Sequence, residues 1–342
     1  MRMTTTAVAP TNIAILKYWG KEPGKEDLSI PTKSSISFTV SELETTTTLE
    51  SGKKKGAAQE LSLTLNGKGK PRGSSEHRYV ESFFSTVSRF FPVVSRYDFR
   101  IISENNFPTA AGFASSASGF AALAKALSGE VPGLGKLDEK RLSAIARLGS
   151  GSAARSIPGQ GGIVLWERGG SMWKSIARSL YPHDYWPDLR IIYATTEAGE
   201  KKVKSREGMQ VSVSTNPIYS SWVRYEEKVL RGAMLRALAK KDFPALSELI
   251  MKASNSFHQI CFGTYPMLRY LNESSFRIIE AIEEMNSSEM KAAYTFDAGP
   301  NAVIFTLSRN EQETIRALSG IAQEIRVTKP GKGARFSDKH LS

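Results

Sequence analysis

Apolar and polar positions in the first part of the chain alternate only in short runs rich in Thr, Val, Ile and Leu. These runs predict strands over residues 4–9, 34–40, 45–50 and 61–65, separated by Gly, Pro and Lys clusters. Asn66-Gly67 then marks a tight turn. After it the period changes. Val80, Phe83, Phe84, Val87 and Phe90 or Phe91 recur at three- and four-residue spacing, which predicts an amphipathic helix over 77–91 stopped by Pro92. A strand is expected at 99–103, a buried helix of small apolar residues at 115–127, and a further helix at 139–148 with Gly149 as its stop. Strand character returns at 162–167. A second set opens with a strand at 189–194 and continues through helices at 217–240, 243–257 and 274–285, strands at 292–296 and 302–307, and a helix at 311–318. Pro, His, Asp and Trp interrupt the periodicity over 182–187, which places a boundary between domains 1–185 and 186–342. Strands mixed with helices, without strict alternation, predict an α+β protein. Lys53-Lys54-Lys55, lying between two predicted strands, reads as a solvated hairpin tip.

Composition narrows the class more than the chemistry. At 342 residues, with 40% hydrophobic and 23% charged residues, the chain suits a globular protein of about two domains. An excess of 46 Lys and Arg over 34 Asp and Glu, a formal charge of +12, favours anionic partners without choosing among nucleic acid, membrane and phosphorylated small molecules. One cysteine, Cys261, forbids an intrachain disulfide and suits a reducing cytoplasm. The N-terminus lacks the apolar stretch of a signal peptide, and no segment approaches the ~20 apolar residues of a membrane span. The expectation is a cytoplasmic protein with no membrane partner.

Several familiar motifs are absent. Gly149-Ser150-Gly151-Ser152-Ala153-Ala154 satisfies the dinucleotide-fold string, yet a predicted helix precedes it where a strand is required. No Walker phosphate loop and no G-x-S-x-G elbow occurs. His77, His183, His258 and His340 are scattered, and with a single cysteine they do not suggest zinc.

Four other segments carry candidate chemistry, each with a plainer alternative. The segment from Asn106 through Pro108, Ala110, Gly112 and Ala114 to Ser115, Ser116 and Ser118 has almost no bulky side chain and runs into a helix. It is either an N–H-rich phosphate cradle with hydroxyls for phosphate or magnesium, or a tightly packed loop. The segment from Gly149 to Ser156 is a second glycine and serine loop, with Arg155 offering a fork for carboxylate or phosphate or simply facing solvent. The run from Asn12 to Lys21 sets Lys17, Tyr18, Trp19, Gly20 and Lys21 beside the first strand, for an anion or for packing. Asp297 stands between a strand and a Gly-Pro turn, where turn chemistry alone would explain it.

Together these segments resemble one family. Residues 12–21, continuing through Leu28-Ser29-Ile30-Pro31-Thr32-Lys33-Ser34-Ser35-Ile36-Ser37, are similar to the opening of mevalonate diphosphate decarboxylases of the GHMP kinase superfamily. The serine-rich run after Glu104-Asn105-Asn106 resembles their ATP-phosphate loop. Residues 149–155, 205–209 and 294–301 resemble, in the same order, a substrate loop, a further contact region and the catalytic aspartate segment. The resemblance implies a ribosomal-protein-S5-domain-2-like N-terminal domain and a GHMP-type C-terminal domain, with ATP, Mg²⁺ and a homodimer. It also implies a reaction in which the 3-hydroxyl of mevalonate 5-diphosphate is phosphorylated, after which phosphate and CO₂ leave to give isopentenyl diphosphate.

Carried onto this chain, the resemblance makes Asp297 the base or orienting group at the hydroxyl. Lys17 becomes the stabiliser of the transferring phosphoryl, and Arg155 the clamp on the substrate carboxylate. Tyr18, Trp19, Gly20, Lys21, Arg78, Ser150, Gly151, Ser152, Ala153, Ala154, Ser205 and Arg206 would hold the substrate. Pro108, Ala110, Gly112, Ala114, Ser115, Ser116 and Ser118 would hold ATP, with Mg²⁺ near Ser115 and Ser116 and no dedicated protein ligands. Arg206 departs from the small hydroxyl residue usual beside Ser205. The loop before Arg78 differs in length from the family pattern. Two relatives remain as alternatives: a phosphomevalonate decarboxylase acting on the monophosphate, and a mevalonate 3-kinase, which is expected to lack the Lys17, Arg155 and Asp297 trio. A nucleic-acid-binding protein would require an interleaved basic and aromatic surface, whereas the basic residues scatter through loops and the 329–339 stretch, so no nucleic-acid partner is expected.

Overall fold

The structure is a computed structural model and describes residues 3–107, 115–197 and 203–342. Its N-terminal strands are longer than alternation predicts because both faces of each are largely covered. β1 (Met3–Leu16) and β2 (Ser35–Lys53) are antiparallel partners, and the two strands expected at 34–40 and 45–50 are one continuous strand. Register shifts after Pro10 and Ala14 divide the pair into three stretches. β3 (Leu61–Leu65), β4 (Lys68–Lys70) and β5 (Tyr97–Asn105) complete one side, in the order β1, β2, β5, β3, β4. β5 therefore lies between β2 and β3, parallel to β3. The lysine run is accordingly a crossover between non-neighbouring strands and not a hairpin tip.

Helix α1 (Ser75–Phe90) starts where Ser74 accepts the His77 N–H, and it buries Val80, Phe83, Phe84 and Val87 on the sheet. α2 (Ser115–Glu130) and α3 (Glu139–Gly149) pack beside it, the alanines of α2 letting helix and strands approach closely. β6 (Ile163–Trp166) pairs with the 35–38 end of β2, and β7 (Ala177–Tyr181) pairs with β6.

The second lobe begins at β8 (Leu189–Thr195). α4 (Ser205–Thr215) and α5 (Tyr219–Tyr225) follow, and a π turn at Glu226–Leu230 separates α5 from α6 (Arg231–Lys240). The single helix expected over 217–240 is thus divided by a wider turn. α7 (Phe243–Phe262) and α8 (Glu273–Met285) cover an antiparallel sheet in which β9 (Ala292–Phe296) and β10 (Ala302–Leu307) join β8. α9 (Glu311–Leu318) leads to β11 (Glu324–Thr328) on its edge.

The chain then returns to the first sheet. Val40 bridges Pro330, and β12 (Arg335–Ser337) pairs with β1, with Arg335 forked onto Glu44 at 2.6 and 2.8 Å. The 329–339 stretch therefore contains an ordered strand. One apolar cluster runs from Ile13, Ile15 and Phe38 in the first lobe to Leu230, Met234 and Phe305 in the second, with the Phe38 and Phe305 rings 5.2 Å apart. That shared core fixes the lobes against each other where the functional residues meet. Among the described residues no helix is long and apolar enough to cross a membrane.

Candidate active site

β1 ends at Leu16, so Lys17 to Gly20 leave the sheet at the boundary between the lobes. Lys17 Nζ donates to Asp297 Oδ1 at 2.7 Å, across a sequence separation of 280 residues. Asp297 directly follows β9 and heads a turn in which the Gly299 N–H returns to its carbonyl. The Asp297 side chain is 41% exposed and that of Lys17 only 3%, so a solvent-accessible carboxylate sits over a buried ammonium. Burial lowers the Lys17 pKa from its ordinary value, and Asp297 opposes that shift by charge and hydrogen bond.

Arg155 lies in the 3₁₀ turn after α3 and is buried. Its Nε donates to Asn12 Oδ1 at 2.9 Å and a terminal nitrogen to Ser35 Oγ at 3.0 Å. Asn12 donates in turn to the Ser152 carbonyl at 3.1 Å and Ser156 Oγ at 2.8 Å, so β1 holds the whole loop in register. The Tyr18 and Trp166 rings flank the guanidinium at 6.0 and 5.9 Å. Burial pulls the Arg155 pKa down to about 10, while Asp297 and then Tyr18 act the other way.

A second group of cations adjoins the first. Lys21 Nζ donates to Ser29 Oγ at 3.0 Å and the Glu26 carbonyl at 3.2 Å, and burial, then Arg206, lowers its pKa to about 8. Arg206, on the first turn of α4 beside Ser205, reaches the Gly149 carbonyl at 3.3 Å and lies 4.5 Å over the Tyr79 ring. Arg147 is fully buried, donating to the carbonyls of Leu28 at 2.6 Å and Met172 at 2.8 Å, with Nε left unpartnered. The Tyr18 hydroxyl is also buried without a partner, and burial raises its pKa to about 12. It abuts Gly151, where a Cβ would lie 2.5 Å from the Tyr18 oxygen, so only glycine fits. Clustered cations, an unsatisfied hydroxyl and side-chain-free backbone form an anion-binding arrangement. Gly20 is needed for a different reason. Its φ is +101°, and a Cβ there would stand 1.7 Å from Tyr219 Oη.

The other expected site residues divide by position. Ser116 Oγ faces Ser150 Oγ at 3.3 Å, and Ser150 faces Ser152 at 3.2 Å, which brings the start of α2 beside the second loop. Ser115 opens α2. Ser118 is buried, its hydroxyl shared with Thr45 Oγ1 at 2.6 Å. Trp19 lies in an apolar cluster with Phe257 and Tyr270, its indole N–H taken up by Ser212 at 2.9 Å. Ala153 and Ala154 are fully buried. Arg78 is exposed on α1 and bonds the Gly73 carbonyl, while its neighbour Tyr79 meets Arg206. Pro108, Ala110, Gly112 and Ala114 lie outside the described residues. Among the described residues no group of three His, Cys, Asp or Glu side chains is placed to hold a metal ion. Sequence reasoning did not single out Asn12, Ser35 and Arg147 as site residues. Asn12 and Ser35 stand inside the opening motif, which was the available signal, whereas nothing local distinguishes Arg147.

Fold and site together define a two-lobed α+β enzyme of the GHMP type, with its charged chemistry gathered between the lobes. The chain belongs to the diphosphomevalonate decarboxylase family. Residues 9–177 match the diphosphomevalonate decarboxylase-like N-terminal domain, and residues 191–335 match the mevalonate 5-diphosphate decarboxylase C-terminal domain. The chain is 40% identical over 329 residues to diphosphomevalonate decarboxylase of Candida albicans, covering 92% of this chain and 87% of that protein. Mevalonate diphosphate decarboxylase of Staphylococcus aureus superposes with a TM-score of 0.89 at 32% identity, covering 99% of both chains. A complex of MDDEF with MVAPP, AMPPCP and magnesium superposes at 0.88, also 32% identical, over 99% of this chain and 100% of that one. The family resemblance and the α+β fold read from the sequence are both borne out.

Proposed function

We propose that this protein catalyses the ATP-dependent decarboxylation of mevalonate 5-diphosphate to isopentenyl diphosphate. The observation that carries the reading is the Lys17 to Asp297 pair, 2.7 Å long and joining the lobes beside the buried Arg155 network. Phosphoryl transfer has a loose transition state in which positioning and electrostatics matter more than covalent chemistry. Asp297 accepts the 3-hydroxyl hydrogen and aims its oxygen at the phosphoryl group, and Lys17 beneath it meets the charge on the transferring oxygens. Arg155 holds the substrate carboxylate in place. The C3–O bond then breaks with loss of phosphate, the bond to the carboxylate carbon breaks with loss of CO₂, and that electron pair forms the alkene.

Tyr18, Lys21, Arg206 and the Ser150–Ser152 backbone hold the diphosphate end. The residues present also suit the nucleotide. Mg²⁺ keeps several waters and takes phosphate oxygens instead of a protein cage, so the paired hydroxyls of Ser116 and Ser150 are an adequate protein contribution beside ATP. Mg²⁺ bound there would neutralise phosphate charge. That the similar protein MDDEF was solved in complex with MVAPP, AMPPCP and magnesium supports ATP and Mg²⁺ as the cofactors. A homodimer acting in the cytoplasm, and division into domains 1–185 and 186–342 with the last residues returning to the first sheet, belong to the same proposal. A coupled ADP assay on mevalonate, its 5-phosphate and its 5-diphosphate, with CO₂ measured alongside, tests the reaction. Turnover confined to the diphosphate with one CO₂ per ADP is expected. ADP without CO₂ indicates the 3-kinase, and preference for the monophosphate the other decarboxylase.

A further inference from the structure

The lobes are joined by a second ion pair whose chemistry the reaction does not use. Lys33 lies in the segment entering β2 and is wholly buried; its Nζ meets Glu226 Oε2 at 3.0 Å, with side-chain exposures of 1% and 0%. The same ammonium donates to the backbone carbonyl of Lys17 and sits 4.7 Å over the Trp222 ring. Three donors are thereby directed at three acceptors, which leaves no open direction for solvent or a ligand. On the other side, Glu226 Oε1 accepts from Ser256 Oγ on α7 at 2.8 Å, and Ser256 also receives the Trp222 indole N–H at 3.1 Å. Glu226 is the first residue of the π turn, and the next, Glu227, accepts the Ser34 N–H and pairs with Arg231 at 2.8 Å. Two adjacent glutamates of one widened turn thus hold two adjacent residues of the first lobe, Glu226 taking Lys33 and Glu227 taking Ser34, an arrangement of the kind π turns often provide at functional sites.

Lys17 is the first residue beyond β1, so no ladder bond fixes it as the strand's residues are fixed. We propose that Lys33 and Glu226 are positioning residues for the reaction, holding the Lys17 backbone against the second lobe so that its ammonium stays in register with Asp297. This inference rests on the reading of Lys17 given above. It follows that the pair acts through geometry: its loss should lower kcat while leaving substrate affinity nearly unchanged.

A single truncation would strand a buried charge, so the test uses Lys33→Met/Glu226→Gln, which removes both charges together. The expected result is a folded protein with a melting temperature near that of the parent, kcat lowered about 100-fold as for a displacement of about 1 Å at a reacting group, and KM for both substrates within twofold. Lys33→Arg, which keeps the ion pair but moves the donor to Lys17, should lose kcat less severely with the same split between kcat and KM, and it decides the matter if the double variant does not fold. Undiminished kcat in whichever variant decides overturns the proposal, as does a loss confined to KM. Lys17→Met run in parallel separates the two levels: its undiminished turnover would overturn the role of Lys17, whereas its loss beside a fully active Lys33→Met/Glu226→Gln would overturn only the positioning role.

Discussion

Lys17–Asp297 and Lys33–Glu226 both cross between the lobes, with the same chemistry and opposite environments. Lys17–Asp297 is 2.7 Å long with its carboxylate 41% exposed, while Lys33–Glu226 is 3.0 Å long with both partners sealed from solvent. An exposed carboxylate can leave its partner for a substrate hydroxyl at little cost, because water or substrate replaces what it loses. A sealed carboxylate cannot, because desolvating an unpaired ion costs several kcal/mol. Access to solvent therefore separates the pair proposed to react from the pair proposed to hold it, and the two meet at a single residue, Lys17, whose side chain serves one and whose carbonyl serves the other.

The largest effect that sharpens this contrast is on turnover. Asp297→Asn should reduce CO₂ release by about 10²–10⁴-fold, the usual contribution of a positioned acid or base, while nucleotide affinity measured by titration stays nearly unchanged. Its stability should fall by less than that of a variant that removes the polar partner of a buried lysine altogether, because the amide oxygen can still accept from the buried Lys17 ammonium at a position 41% exposed to water. Near-normal turnover would remove Asp297 from the reaction. Next in size is Glu226→Leu, which leaves the Lys33 ammonium buried without its counter-charge; urea unfolding should show a loss of about 3–5 kcal/mol. Equal stability losses in the two variants would mean that exposure does not distinguish the pairs.

How far this was legible depended on distance along the chain. Lys17 and Arg155 stood in recognisable segments, and Asp297 was assigned through the same resemblance, so the site's composition could be assembled without coordinates. Its geometry could not, because the partners are 280 residues apart for Lys17 and Asp297 and 193 for Lys33 and Glu226. Lys33 was quoted only as one letter of the opening motif, since no local period distinguishes a buried lysine from a surface one. Glu226 was hidden inside a helix predicted to be continuous. The central helices and the strands of the second sheet were legible from periodicity, whereas β12, at three residues in a Gly- and Lys-rich stretch, was not, because only its pairing with β1 makes it a strand.

The smallest expected effect concerns the proposed diphosphate end, where Lys21 hydrogen-bonds Ser29 Oγ and the Glu26 backbone carbonyl and not a carboxylate. Burial and the neighbouring Arg206 lower the Lys21 pKa to about 8. The sign follows from which form binds. Below pH 8 Lys21 is charged and attracts the diphosphate; above it the free enzyme holds a neutral amine, and binding must first take up a proton. KM for the diphosphate should therefore rise with pH above about 8, by at most tenfold per unit, while kcat at saturation stays level because the bound anion restores the charge. Lys21→Met should raise KM at pH 7 and abolish that limb of the profile. An unchanged limb in Lys21→Met would assign the titration to another group and leave Arg206 as the cation at the proposed diphosphate end.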